Sequence, residues 1–145
     1  MDGLHEGLQR MEDFIDKLDS SFLERSYGPD KWTIAEVLVH LIDTERIFQY
    51  RALRFARNDK TALAGFDQDA FVPESDAAAK SKNELWSEFK AVRIASLALF
   101  ASFNEEKLLR IGTASNAPMS VRALGLMISA HQVHHERLLA EHYLG

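Results

Sequence analysis

The chain has 145 residues, 46% of them hydrophobic, and a formal net charge of −5, which predicts a single domain over residues 1–145 with its own core. It contains no cysteine, which excludes disulfides, cysteine-based zinc sites and a thiol nucleophile supplied by the chain. The acidic balance and the lack of an apolar run of about 20 residues predict a protein that binds neither nucleic acid nor membranes.

The N-terminal stretch predicts an amphipathic helix rather than a signal peptide. No basic flank precedes an apolar segment there, so we expect a cytoplasmic location. Apolar residues recur every three or four positions, and the pattern ends before Tyr27-Gly28-Pro29. The apolar positions are Leu4, Leu8, Met11, Phe14, Ile15, Leu18 and Phe22.

A second helix is predicted from Thr33 to about Arg57. Thr33 and Glu36 have the spacing of a capping box, in which each side chain accepts a hydrogen bond from the backbone N–H of the other residue. The expected buried face of this helix consists of Val37, Leu38, Leu41, Phe48 and Phe55.

Residues 58–80 lack a sustained hydrophobic period and contain Gly65 and Pro73, so they predict a long connection. Connections longer than about 12–15 residues are uncommon in compact domains and are often functional. The apolar residues of this segment are expected to pack onto the domain, and they are Leu63, Phe66, Phe71 and Val72.

Two further long helices are predicted in the C-terminal half. Ser81 and Glu84 form a second capping box, which opens a third helix through about Phe103. Residues 104–109 predict one short helical turn, and residues 111–119 predict a loop. Ser120 is the expected cap of the fourth long helix. With no alternating strand pattern, the chain predicts an all-α four-helix bundle whose long second connection permits a crossover.

The predicted fourth helix contains three histidines within one stretch of five residues. His131 and His135 are four residues apart, so both lie on the apolar face of this helix. His134 falls at the edge of that face, and we assign His134, His142 and His5 to the surface or to hydrogen-bonded core positions. Two imidazoles that face a core need partners for their nitrogens, and a metal ion would satisfy both.

A metal site needs a third ligand, and the best candidate is His40 on the second helix. Facing helices of a bundle often build metal sites from inward side chains. Three neutral imidazoles suit a divalent metal ion, with zinc or nickel favoured and iron, manganese or copper as alternatives. Such a set leaves a coordination position open for water or substrate.

The residues alone leave other interpretations open. Inward histidines are also explained as hydrogen-bonded core residues without a metal. Arg51, Arg54 and Arg57 most simply form a solvated face, and binding of a substrate anion by Arg51 or Arg54 is the alternative. Four carboxylates have two interpretations. They either accept hydrogen bonds from the ligating histidines or serve as helix caps and surface residues; the four are Glu36, Asp43, Glu45 and Glu136.

Three segments together are typical of one protein family. Residues 31–45 place a Trp-Thr pair before a helix that carries His40, residues 65–69 are the loop Gly-Phe-Asp-Gln-Asp, and residues 131–139 contain His-x-x-x-His. In order and spacing these segments resemble the DinB/YfiT-like family of metal-binding four-helix proteins. The resemblance implies His40, His131 and His135 as metal ligands, a crossover connection between helices 2 and 3, and a homodimer.

The resemblance also implies an activity that is described for some relatives. This activity is a metal-dependent transfer of a low-molecular-weight thiol to an electrophilic small molecule. Because the chain has no cysteine, the sulfur would come from a small thiol cosubstrate. One alternative is a non-enzymatic metal-containing module for stress response or binding. The other is metal-assisted hydrolysis, with a general base supplied by Glu36, Asp43 or Glu136.

Overall fold

A computed structural model describes residues 1–144. Within them, six α-helices span Asp2–Lys17 (α1), Ile34–Ala56 (α2), Gln68–Phe71 (α3), Lys82–Ala101 (α4), Glu105–Leu108 (α5) and Val121–Leu138 (α6). Short 3₁₀ turns cover Ser20–Phe22, Val72–Ser75 and Ala77–Ala79, and a π turn covers Leu139–Tyr143. The long helices α1, α2, α4 and α6 confirm the predicted bundle. None of the helices described is long and apolar enough to cross a lipid bilayer.

The starts of three long helices are stabilised by the predicted caps. Thr33 Oγ1 accepts a hydrogen bond from the Glu36 N–H at 3.1 Å, and the Glu36 carboxylate accepts one from the Thr33 N–H at 3.0 Å. Ser81 and Glu84 form the same reciprocal pair at the start of α4. Ser120 caps α6 with its hydroxyl. Each cap satisfies backbone N–H groups that lack a partner within the helix.

Two helices end earlier than predicted. The first was expected to include Phe22, but α1 stops at Lys17 because Leu18 adopts an extended conformation. Asp19 then accepts a hydrogen bond from the Ser21 N–H and starts a separate 3₁₀ turn. The helix expected to reach Phe103 ends at Ala101. Apolar residues therefore continue with the same spacing past both helix ends. For this reason hydrophobic spacing alone does not show where these helices end.

α2 and α4 lie side by side and run in the same direction. Arg46 of α2 donates to Glu88 of α4 at 2.6 Å, and further along both helices Gln49 donates to Ser96 at 2.6 Å. Parallel neighbours need a connection that returns along the length of the bundle. Residues 57–81 supply that return, which confirms the predicted crossover between the second and third long helices.

α1 and α6 form the other parallel pair. Gln132 donates to the Gly7 carbonyl at 2.7 Å, and Arg10 pairs with Glu136 at 3.0 Å, so contacts advance together along both helices. The Tyr143 hydroxyl, just past the end of α6, donates to the Trp32 carbonyl just before α2, so the two pairs run in opposite directions. Because α2 also packs extensively on α6, residues of these two helices meet inside the bundle.

The predicted loop over residues 111–119 is wrong, since the chain forms a hairpin there. Strands Ile111–Ala114 (β1) and Ala117–Ser120 (β2) pair antiparallel, with Ala114 opposite Ala117. The two turn residues, Ser115 and Asn116, have φ angles of 52° and 62°, as in a type I′ turn. Pro118 lies within β2, and proline is tolerated on an edge strand because the ladder there needs no further donor.

The long connection is fastened to this hairpin and to the bundle. The Leu63 N–H donates to the Thr113 carbonyl at 2.9 Å, and the Ser115 N–H donates to the Leu63 carbonyl at 3.1 Å. Val72 is buried, as predicted. Phe71 is the most exposed of the four residues expected to pack onto the domain, at 44%, and its ring contacts the Phe66 ring beside α2. The connection is therefore a segment packed along α2, from the hairpin beside the end of α2 to Val72 near its start.

Gly112→Ala is expected to lower the free energy of unfolding by about 1–3 kcal/mol, because overpacking forces neighbouring groups to move. An added Cβ at Gly112 would overlap the Phe55 ring, which is buried on α2. Urea unfolding followed by circular dichroism measures the change. Gly28→Ala is the matched control, because its Cβ would meet only Lys31 Cγ at 3.6 Å. Equal stabilities of the two variants would contradict the close contact.

Candidate metal centre

The antiparallel packing of α2 on α6 brings three histidines together. His40 is buried on α2, and His131 and His135 are half-buried on successive turns of α6. The Nε2 atom of His131 lies 2.9 Å from Nε2 of His40 and 3.1 Å from Nε2 of His135. One ligand atom from each residue lies within 4.8 Å of the other two. The three residues selected from the sequence therefore share one site.

The spacing of these nitrogens suits a shared metal ion. An ion bound at about 2.0–2.1 Å by two imidazoles holds their nitrogens roughly 3.0–3.4 Å apart, depending on the angle at the metal. The separations of 2.9 and 3.1 Å are close to that range. Three imidazole nitrogens that converge so closely cannot all be satisfied by hydrogen bonds to one another, whereas a cation can accept all three lone pairs. The cluster could hold a divalent metal ion.

The protonation state of the cluster also suits metal binding. Burial, the largest cause, and the neighbouring imidazoles together lower the pKa of His40, His131 and His135 to about 4 each. The rings are therefore neutral at neutral pH. A neutral imidazole presents the free lone pair that a metal ligand requires.

The His40 ring is held in place by its neighbours on two sides. Thr44, one turn further along α2, places its hydroxyl 3.4 Å from His40 Nδ1. The Trp32 ring packs on the His40 ring with centroids 4.7 Å apart. An acceptor at Nδ1 keeps the proton on that nitrogen and leaves Nε2 free to bind a metal. Trp32, which the sequence motif placed before α2, thus contacts the site directly.

Three of the four carboxylates considered as partners of the histidines form hydrogen bonds or ion pairs elsewhere. Glu36 belongs to the α2 capping box, and Glu136 bonds to Arg10 and Gln132. Within residues 1–144 no hydrogen bond joins the histidine cluster to a carboxylate, so the structure does not favour a role of any of the four candidates as an acceptor for the histidines. The other two are Glu45, which pairs with Arg93, and Asp43, which lies among the charges of Arg46, Lys80 and Glu88.

A buried polar network lies directly behind His131 and was missed by sequence reasoning. Arg93 of α4 donates to both carboxylate oxygens of Glu45, at 2.8 and 3.0 Å, and to the Gln132 carbonyl oxygen at 2.8 Å. Ser96 donates to Glu45 at 2.7 Å. Because Gln132 also donates to the Gly7 carbonyl, the network ties α1, α2, α4 and α6 together next to the site.

Two cavities open beside the histidine cluster, one lined by His135 and the other by His131. A cavity of about 260 Å³ is lined by His135, Trp32 and Asp69 among others. A second of about 420 Å³ is lined by His131, Arg51 and the neighbouring Gln68 side chain. The short helix α3 contributes a residue to each cavity, so the long connection borders both approaches to the cluster. This position agrees with the expectation that an unusually long connection is functional.

The remaining histidines lie outside the cluster, as the sequence indicated. His5 and His134 are exposed, although the His134 ring packs 5.0 Å from the His135 ring. His142 stacks on Tyr27 with centroids 4.7 Å apart and is 44% exposed. Of the six histidines, only the three in the cluster combine burial with mutual contact in the part of the chain described.

An up-down-down-up helical bundle with three inward-facing imidazoles on facing helices is the arrangement of a class of helical proteins that could hold a divalent metal ion. Comparison with models of protein families identifies the superfamily within this class. The family model described as the DinB superfamily matches residues 4–139, and the chain belongs to that superfamily.

A solved structure shares this fold, that of YfiT from Bacillus subtilis. YfiT is described as a probable metal-dependent hydrolase with an unusual four-helix bundle topology. The match has a TM-score of 0.80 at 18% sequence identity and covers 96% of this chain and 83% of that chain. At that identity the likeness shows a common fold. Comparison with curated proteins gives no match.

Proposed function

We propose that His40, His131 and His135 hold one divalent metal ion, with zinc or nickel favoured and iron, manganese or copper as alternatives. The short nitrogen separations and the neutral state of the imidazoles support this proposal. Three neutral ligands leave the positive charge of the ion uncompensated and leave at least one coordination position free. Both features belong to a reactive site rather than to a purely structural one.

We propose further that the protein is a metal-dependent transferase that activates a low-molecular-weight thiol. The placement of the carboxylates is the observation that supports a thiol over water. Hydrolysis needs a general base to take the proton of the attacking water. Of the three candidates for that role, Glu36 and Glu136 are bonded to other groups, and Asp43 lines a different cavity, one that none of the three histidines lines. A thiol has a pKa of about 8.5, so a modest reduction suffices to ionise it.

A divalent ion on the three imidazoles would supply the positive charge that lowers the pKa of the thiol. In the proposed reaction the thiol releases its proton to solvent. Its sulfur then forms a bond to an electrophilic carbon, and the displaced group leaves with the electron pair of the broken bond. The residues of the chain would position the reactants, since His135 lines one cavity, His131 lines the other, and α3 borders both.

Titration of the cobalt-substituted protein with mercaptoethanol is expected to produce a sulfur-to-cobalt charge-transfer band in the near ultraviolet. The same protein should accelerate the reaction of mercaptoethanol with monobromobimane, in which the sulfur displaces bromide. Ethylene glycol, which has oxygen in place of sulfur, is the control and should produce no band. A cobalt site that ignores the thiol would contradict the transferase proposal.

Metal-dependent hydrolysis is the second candidate, because YfiT, which shares the fold, is described as a probable metal-dependent hydrolase. Hydrolysis of para-nitrophenyl acetate by the zinc-loaded protein tests it. If Glu136 were the base, Glu136→Gln would abolish that hydrolysis and leave thiol transfer intact. A metal site that supports neither reaction would instead favour a non-enzymatic binding or stress-response module.

A further inference from the structure

Arg51 is a buried cation without an anionic partner. It was predicted to lie on a solvated face, but it is only 4% exposed on α2. Its Nη2 donates to the Ala64 carbonyl at 3.3 Å and to the Ser115 hydroxyl at 3.0 Å. Within residues 1–144 no carboxylate forms an ion pair with it, whereas the equally buried Arg93 pairs with Glu45. Arg51 therefore differs from the structural arginine of the same bundle.

Burial of an unpaired guanidinium is costly, so its retention calls for a reason. Burial lowers the pKa of Arg51, yet an arginine side chain stays charged at neutral pH. Both of its hydrogen bonds use one nitrogen, which leaves the N–H groups on Nε and Nη1 without a protein acceptor. No fully enclosed polar atom lacks a partner in the part of the chain described, so these two nitrogens border accessible space.

The accessible space beside Arg51 is the larger cavity at the histidine cluster. The lining of this cavity of about 420 Å³ contains no carboxylate, and the Arg51 guanidinium is its only side chain that is charged at all pH values near neutrality. His131 lines the same cavity. The smaller cavity differs, since Asp30, Lys31 and Asp69 line it with mixed charge. An anion would thus be attracted to one side of the cluster.

Apolar groups surround the cation in this cavity. The Phe48 and Phe66 rings lie 6.0 and 5.8 Å from the Arg51 guanidinium carbon, and Met127 lines the wall. Aromatic rings beside a guanidinium exclude water and strengthen its interaction with an anion. The cavity therefore combines one positive group with an apolar wall and one metal-ligand candidate.

We infer that Arg51 binds the oxyanion group, a carboxylate or a phosphate, of a small organic acid whose apolar part lies against Phe48 and Phe66. This assignment rests on the proposed function in one respect, since it makes the organic acid the electrophile that the thiol attacks. A guanidinium donates charge-assisted hydrogen bonds to carboxylates and phosphates, which are stronger than bonds between neutral groups. The reacting carbon would then point from Arg51 toward His131.

Binding of three matched probes to the full chain, by isothermal calorimetry, tests the assignment. Phenylacetate and phenyl phosphate carry the two oxyanions, and phenylacetamide has a similar shape without a charge. We expect at least one of the anions to bind at least about tenfold tighter than phenylacetamide, as a charge-assisted bond predicts. The preference should hold in metal-free and zinc-loaded protein, which separates binding by Arg51 from binding to the ion.

Four variants separate anion binding from a structural role of Arg51. Arg51→Gln should abolish the preference, and Arg51→Lys should retain part of it. Ser115→Ala, which removes one tether of Arg51, should retain the preference. Arg54→Gln removes the same charge one turn away, where Arg54 pairs with Asp59, and should also retain it.

Equal binding of all three probes to the wild-type chain would overturn the assignment even if Arg51→Gln failed to fold. An unchanged preference in a folded Arg51→Gln variant would overturn it as well. Because the metal-free titration does not depend on thiol chemistry, failure of the transferase proposal would appear separately, as a cobalt protein without a thiol response.

Discussion

His131→Ala is expected to weaken zinc binding at least about a hundredfold, whereas the wild-type chain should bind one zinc ion tightly. Zinc sites built from four ligands contribute about 10–16 kcal/mol, so one lost ligand removes a few kcal/mol, and a hundredfold loss corresponds to about 2.7 kcal/mol. His131 lies between the other two histidines, within 2.9 and 3.1 Å of their Nε2 atoms. Competition with a chromogenic chelator measures the affinity, and elemental analysis measures the stoichiometry.

His134→Ala is the matched control for this experiment. His134 lies on the same helix and next to His135, but its side chain is exposed and belongs to no cluster of ligands. Zinc at a hundred times its dissociation constant should stabilise the wild-type chain and the control by about 2.7 kcal/mol, and His131→Ala much less. Zinc binding by His131→Ala with wild-type affinity would remove the basis for the metal centre and for the thiol chemistry built on it.

The histidine cluster could be predicted because each part of it has a local signal. The spacing of His131 and His135 places both on one helical face, and helical periodicity also places His40 at the border of an apolar face. Thr33 and Ser81 likewise indicate the starts of their helices, because a cap acts within four residues of its partner. Such features depend on short-range geometry, which sequence spacing records.

The hairpin escaped prediction because its signals conflict locally. Ser115 and Asn116 form the turn, but a Ser-Asn pair is a weaker signal than Asn-Gly, and Pro118 argues against a strand. The hairpin is stabilised by contacts with residues distant in the sequence. Gly112 packs against Phe55, and Leu63 forms a bridge to Ala114. Tertiary contacts of this kind leave no periodic pattern in the sequence.

The buried charges escaped prediction for a related reason. Arg93 and Arg51 both belong to helices with apolar neighbours, and an arginine at the edge of an apolar face most simply extends into solvent. Their burial depends on which elements pack together, since Arg93 of α4 donates to Glu45 of α2 and Arg51 donates to Ser115 in the hairpin turn. The sequence of one helix does not indicate which residue of a second helix will lie opposite a given side chain.

Arg93→Met is expected to lower the free energy of unfolding by about 3–5 kcal/mol, because it leaves a buried charge without its partner. Glu45 and Arg93 side chains are 4% and 1% exposed, and two hydrogen bonds join them. The variant would also leave the Leu4 carbonyl and the Gln132 side chain without the donor they share. Urea unfolding of the metal-free chain measures the loss.

The pair of Arg46 with Glu88 is the matched control, because it joins the same two helices at the surface. These side chains are 49% and 26% exposed and lie 2.6 Å apart. Exposed ion pairs contribute about 0–1 kcal/mol, so Arg46→Met should change stability by no more than that. Equal losses from Arg46→Met and Arg93→Met would contradict a special role for burial.

A double variant separates the cost of an unpaired charge from the contribution of the ion pair itself. Arg93→Met combined with Glu45→Leu removes both charges, and replacement of a buried ion pair by apolar residues is often neutral or stabilising. We expect the double variant to be more stable than Arg93→Met alone, with Ser96 and Gln132 left short of one partner each. A double variant as unstable as the sum of its two single variants would show that Arg93 and Glu45 contribute independently. In that case the network behind His131 would be a set of separate contacts rather than one unit that holds α6 in place.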